Sequence, residues 1–377
     1  MSTVSGVTAA VLRARLARAR AAAATAGVDA LLIAPGSDLR YLIGGSGTSF
    51  ERLTCLAVPA GDAPAVLVVP KLEAPGYAAV PFDELGVELV TWVDGEDPYA
   101  LVASRLGRPV RVAVGDVMPA LHVLGLRGAV PAAEQTLAGP VLRELRMRKD
   151  AAEVTALRRA GAAIDRVHAR MGEWLRVGRT EAEVGADIAA AIVAEGHVRA
   201  DFVIVGSGPN GASPHHDVSD RVIEPGDVVV VDIGGPVAEG YNSDSTRTYA
   251  IGEPRDADVA ATYAVLQAAQ RAAVEAVRPG VPAQEVDAAA RRIIADAGFG
   301  EYFIHRTGHG IGLDVHEDPY IVRGNDLPLE PGMAFSVEPG IYLPGRWGAR
   351  IEDIVVVTDD GVEPLNHRPH ELVVLPG

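Results

Sequence analysis

Between residues 28 and 135 the chain alternates short apolar runs, DALLIA, LTCLAVPA, AVLVVP, VELVTWV and VRVAVG, with stretches of helical spacing such as DPYALVASRL. Short apolar runs bounded by turn formers read as strands, and their alternation with helical segments predicts a mixed α/β layer structure. Around PVLRELRMRKDAAEV the texture changes to a charged helix. It leads into AAEVTALRRAGAAIDRVHARM, where Val154, Leu157, Ile164, Val167 and Met171 recur at helical intervals. A further helix opens at Thr180, whose hydroxyl and the Glu183 carboxylate form a capping box. We place the boundary between Leu142 and Asp150, dividing the chain into an N-terminal α/β domain, 1–145, and a second domain, 146–377. In that second domain VVVVDIGG predicts a strand buried on both faces, yet the run ends on Asp232, with Asp244 twelve residues later. Burying an unpaired carboxylate costs several kcal/mol, so something must compensate these two acids.

The second domain repeats itself. GRTEAEVGADI at Gly178 returns as GVPAQEVDAAA at Gly280, PHHD at Pro214 as VHED at Val315, and EPGDVVVVDIG at Glu224 as EPGMAFSVEPG at Glu330, with offsets of 102, 101 and 106. Three matches in one order imply a duplicated half and predict a pseudo-twofold α+β sheet domain. The alignment pairs Asp232 with Glu338 and His215 with His316. Acids therefore end equivalent strands, and the centre of the domain is acidic.

Other polar residues converge on the same centre. HRTGHGIGLDVHEDP supplies His305, His309 and His316, with glycines that permit close backbone approach. GARIEDIVVV sets Glu352 on the strand face opposite Asp353. Asp232, Asp244, His309, Glu338 and Glu352 together make four carboxylates and one imidazole. Two divalent cations balance that charge, and an oxygen-rich set with one nitrogen suits Mn²⁺, with Co²⁺, Zn²⁺ and Fe²⁺ as alternatives. Lone His122 and His168 are read as core or surface histidines, and Glu224 and Glu330 as turn acids.

Composition narrows the partners. The 377 residues, 48% hydrophobic, are enough for two domains with substantial cores. A formal net charge of −16 argues against nucleic acid or an anionic membrane surface and for small ligands or peptides. The single cysteine, Cys55, has no partner for an internal disulfide and reads as a buried thiol. The Arg- and Ala-rich, acid-free N-terminus has the composition of a transit peptide. However, Val11, Leu12, Leu16 and Ala19 share one helical face that runs straight into VDALLIAPG, so an amphipathic first helix and a cytoplasmic protein are expected.

The ordered set DIGG…SDSTRT, HRTGHGIGLDVHE, SVEPGIY and GARIEDIVVV resembles the metallopeptidases of the pita-bread fold, the group of prolidase, aminopeptidase P, methionine aminopeptidase and the metal-free creatinase. The resemblance covers essentially the whole chain. It implies a creatinase-like N-terminal domain, a homodimer, and hydrolysis of small peptides with proline in second position. It further implies that Asp232, Asp244 and Glu352 bind one metal, and Asp244, His309, Glu338 and Glu352 the other. His215 matches the family histidine that contacts the substrate carbonyl or oxyanion, His316 the one on the proline side, and Glu338 the proton carrier. His216 is read as a neighbour, and Arg247 and Arg350 as braces for the acidic ligands.

An Xaa-Pro dipeptidase is the leading expectation, with an Xaa-Pro aminopeptidase acting on longer peptides as its alternative and a non-catalytic binding protein as the alternative of another class. A dipeptidase must hold a free carboxylate, for which a guanidinium fork is suited. Arg346 in YLPGRWGARIED and Arg52 in SFERLTC are the two arginines expected to supply it.

Overall fold

The computed structural model describes residues 3–4, 6–45, 47 and 51–377. The chain forms two compact units, 1–146 and 147–377. In the first, a six-stranded sheet runs in the order Val87–Trp92, Ala65–Pro70, Cys55–Pro59, Ala30–Ile33, Arg111–Val114, Glu134–Leu137. Its pairings are mixed: Ala30–Ile33 lies antiparallel to Cys55–Pro59 and parallel to Arg111–Val114. The first five strands in that order coincide with the apolar runs. The sixth, EQTL, is an edge strand without a fully buried residue, so it carries no apolar signal. The first helix, Ala9–Thr25, buries Leu12, Leu16 and Ala19 as its spacing requires, and Arg15 with them, whereas Val11 of the same expected face is only half-buried. Pro98–Leu106 is capped by Asp97, which accepts from the backbone of Tyr99 and Ala100.

The two larger sheets of the second unit are built alike. In one, Phe202–Ser207, Val228–Pro236 and Asn242–Ile251 are successive antiparallel neighbours. In the other, Gly308–Gly310, Ala334–Val337 and Asp353–Val357 are. Each sheet has its own helix pair, Ala151–His168 with Glu181–Ala194 and Val259–Ala276 with Ala283–Asp296. Capping boxes at Asp150/Glu153 and Thr180/Glu183 start the first two of these helices. Helical spacing extends the first helix to Met171. The structure leaves the helix at His168, and Met171 opens a 3₁₀ turn, still buried.

The valine strand shows how the acids come to face away from the cores. Val229, Val231 and Ile233 pack with Ile164, Val184 and Ile188 of the helices. Period-two alternation then turns Asp232 to the other face. On the second sheet Phe335, Val337 and Val355 pack with Leu266, Ala269 and Val286. The glycines of TGHGIG answer to sterics. A Cβ on Gly308 would sit 1.8 Å from the Ser336 carbonyl oxygen, and one on Gly310 would sit 2.2 Å from that of Asp318. Only without side chains does this short strand fit between its neighbours.

Candidate metal centre and active-site cavity

Asp232 is paired in register with Thr246, so the two side chains share one sheet face, and Asp244, two residues earlier on the same strand, shares it too. A bridge between Thr246 and Glu352 joins the two sheets, with the Thr246 hydroxyl donating to Glu352 Oε2 at 2.7 Å. From the second sheet, His309 Nε2 lies 3.2 Å from Glu338 Oε1 and 3.6 Å from Asp244 Oδ2. Ser336 Oγ donates to Glu338 Oε1 at 3.0 Å. Three overlapping groups offer ligand atoms within 4.8 Å of one another: Asp232, Asp244 and Glu352; His309, Glu338 and Glu352; and Asp244, His309 and His316. Asp244 and Glu352 each belong to two of them.

The electrostatics are those of acids crowded together away from water. Burial, then the fields of neighbouring carboxylates, push Asp244 and Glu352 well above the usual carboxylate range. Burial raises Asp232 as well, although Arg350 opposes it. Glu338 goes the other way: burial pushes it up, but the hydrogen bond and charge of His309 outweigh that and hold it at about 2. Asp232 Oδ1 is buried without a hydrogen-bond partner. A lone acceptor beside acids that resist ionising together is the environment a divalent cation satisfies, and four carboxylates with one imidazole are a donor set for two of them.

Two arginines brace the cluster. Arg350, 2% exposed, donates to Asp232 from Nη2, to Thr246 Oγ1 at 3.0 Å, and to the Tyr342 hydroxyl at 2.8 Å. Arg247 donates to the Glu352 carbonyl at 2.8 Å and pairs with Asp353 at 2.7 Å. Arg350 orients the Asp232 carboxylate directly, and Arg247 holds the backbone at Glu352.

All five clustered residues line one cavity of about 890 Å³, together with His215, His216, His305, Arg306, His316 and Arg350. The neighbouring histidines 215 and 216 differ in their commitments. His216 Nε2 lies 2.7 Å from Glu181, a fully buried carboxylate that also accepts from Ser207, Asn210 and Ser219. Among the described residues the His215 ring makes no hydrogen bond or ion pair. The rings of His316 and His309 stand 3.9 Å apart, centroid to centroid.

Sequence reasoning passed over several residues here. Glu181 was visible only as the first residue of a helix; nothing local in RTEAEV announces that its carboxylate organises residues 207 to 219. Tyr342, in the quoted SVEPGIY, links Arg350 to His305, whose Nε2 lies 2.9 Å from its hydroxyl. His168 is a satisfied core histidine, between the Tyr249 hydroxyl and the Ser245 carbonyl, with its pKa lowered to about 3 by burial.

Of the two arginines expected to face a substrate carboxylate, Arg346 is engaged elsewhere. Arg346 lies in the turn between Gly340–Leu343 and Trp347–Arg350, where Asp256 and Asp258 take its guanidinium at 2.7 and 2.8 Å; it does not line the cavity. Proximity in sequence to the ligand strand misled because the hairpin carries the turn away. Arg52 is held by both oxygens of Asp94, at 2.9 and 3.0 Å, and by Glu51 at 2.5 Å. Ser49 and Phe50 of the same segment lie outside the described residues.

A buried cluster of carboxylates and an imidazole lining a cavity is a donor set suited to divalent metal ions within reach of a small substrate. The chain belongs to metallopeptidase family M24, whose model matches residues 155–359, with the creatinase/prolidase N-terminal domain matched over residues 15–148. It is 63% identical over 363 residues to the protein named "Probable dipeptidase PepE" of Mycobacterium tuberculosis, covering 96% of each chain. It is 37% identical over 358 residues to the Xaa-Pro dipeptidase of Lactobacillus delbrueckii subsp. lactis, covering 93% of this chain and 96% of that one. The crystal structure of dipeptidase PepE from Mycobacterium ulcerans matches with a TM-score of 0.94 at 62% identity, over 98% of this chain and 99% of that chain. The fold is the two-domain pita-bread architecture and the protein is a metallopeptidase. Among the described residues no helix is long and apolar enough to cross a membrane.

Proposed function

We propose that the protein is a cytoplasmic, homodimeric Xaa-Pro dipeptidase that works with two divalent ions, Mn²⁺ first among them. The observation that carries this reading is the gathering of Asp232, Asp244, His309, Glu338 and Glu352 in the lining of a single cavity. The names of the dipeptidase relatives support the substrate class. Asp232, Asp244 and Glu352 would hold one ion and Asp244, His309, Glu338 and Glu352 the other, with Asp244 and Glu352 shared. Ions bound there supply Lewis-acid polarisation of the scissile carbonyl and a water-derived nucleophile at neutral pH.

The chain's own residues do the rest. Glu338 takes the proton released on attack and hands it to the leaving nitrogen, which as a tertiary amide carries none of its own. Its Oε1 is occupied by Ser336 and His309, and among the described residues no hydrogen bond engages Oε2. His215, with no other commitment, donates to the oxyanion of the tetrahedral intermediate. His316 stands on the proline side, next to His309. Arg350 and Arg247 keep the ligands aligned.

The test is an assay of the Mn²⁺-loaded protein on an Xaa-Pro dipeptide and on a longer Xaa-Pro-Xaa peptide. The dipeptide is expected to be cleaved with the higher kcat/KM. Faster cleavage of the longer peptide would make the protein an aminopeptidase, and cleavage of neither by fully loaded protein would favour a binding role.

A further inference from the structure

We propose that Arg306 is the specificity-determining residue that holds the free C-terminal carboxylate of the dipeptide. This rests on the dipeptidase reading and names the group that would separate dipeptides from longer substrates. The cavity is lined by two guanidinium groups, Arg306 and Arg350. Arg350 is spent: its donors go to Asp232, Thr246, Tyr342 and the Pro214 carbonyl. Arg306 is half-buried, and among the described residues its guanidinium has neither a hydrogen bond nor an ion pair.

That is an unusual condition for a cation in a cavity containing four clustered carboxylates. What Arg306 does have is Tyr320, whose ring centroid lies 4.5 Å from the guanidinium carbon. Packing on an aromatic ring restrains the guanidinium while its N–H donors stay free for bidentate pairing with a carboxylate. Its placement is suitable. Tyr320 is the cross-strand partner of His309, and Arg306 lies three residues before His309, so the pair stands beside the metal-ligand histidine. Arg306 is also close enough to His316 for its charge to act on that ring. A substrate whose scissile carbonyl reached the cluster and whose proline lay by His316 would bring its carboxylate to this side of the cavity. An amide or a further residue at that point offers no charge for Arg306 to pair with.

The experiment compares Arg306→Ala and Arg306→Lys with the parent enzyme on an Xaa-Pro dipeptide and on its C-terminal amide, all Mn²⁺-loaded. Calorimetric binding of proline and prolinamide provides a readout that needs no turnover. Arg306→Ala is expected to raise KM for the dipeptide more than tenfold, leave KM for the amide within about twofold, and abolish any preference for proline over prolinamide; Arg306→Lys should recover part of each loss. The Arg346→Ala control should change neither substrate, because that side chain is occupied by Asp256 and Asp258. Equal losses on acid and amide, or an acid preference that survives in Arg306→Ala, would overturn the subsite alone. A parent enzyme fully loaded with metal and inactive on the dipeptide would overturn the dipeptidase reading, and this subsite with it.

Discussion

Asp244→Ala is expected to abolish hydrolysis even in excess Mn²⁺. Asp244 shares ligand-atom proximity with Asp232 and Glu352 on one side and with His309 and His316 on the other, so its loss strips both proposed ion sites at once. The neutral, nearly isosteric Asp244→Asn should be equally inactive, and it separates lost chemistry from a damaged fold. In the metal-free protein Asp244 is a carboxylate whose pKa is raised by burial and by Glu352 and Asp232. A group with a raised folded-state pKa makes the folded protein bind more protons than the unfolded one, so its contribution to stability falls as pH rises. Chelated Asp244→Asn should therefore be at least as stable at pH 7 as the chelated parent. Added Mn²⁺ should stabilise the parent and leave the variant almost unmoved, because metal binding is coupled to folding free energy. Denaturant titrations with and without chelator measure both effects. Substantial activity in either variant would show that Asp244 is not a shared ligand.

His215→Ala is expected to lower kcat by about 10²–10³ while metal content stays at the parent level, the usual scale for removing an oxyanion donor. The ring lines the cavity, and among the described residues it has no hydrogen bond or ion pair to lose. A fall in metal content would instead make it a ligand. His216→Ala should be far milder, because Glu181 keeps its donors from Ser207, Asn210 and Ser219 when the imidazole is gone. Steady-state kinetics with elemental analysis decide the ranking, and the reverse order would move the oxyanion role to His216.

The cluster was legible in the sequence for a physical reason. Four carboxylates and one histidine sit in or beside strands whose alternation can be read, and the internal repeat matches Asp232 with Glu338. The Thr180/Glu183 capping box and five of the six strands of the first unit were legible for the same reason, since they are local patterns. The arginines were not. Whether a guanidinium faces a cavity depends on which acid reaches it first, and for Arg346 that acid comes from residues 256 and 258, about 90 positions away in the chain. Glu181 eluded local reasoning likewise, because its partners lie 26 to 38 residues downstream.

Counting bound ions tests the dinuclear centre itself. Purified protein should be stripped with chelator, reloaded with Mn²⁺, dialysed and analysed for metal by mass spectrometry, with Xaa-Pro dipeptide hydrolysis followed at each step. Two ions per chain are expected in the parent, with activity that disappears on stripping and returns on reloading, and a sharp fall in bound metal in Asp244→Ala. Full hydrolysis by the stripped protein, or a parent that binds no Mn²⁺, Co²⁺, Zn²⁺ or Fe²⁺, would contradict a dinuclear metal centre.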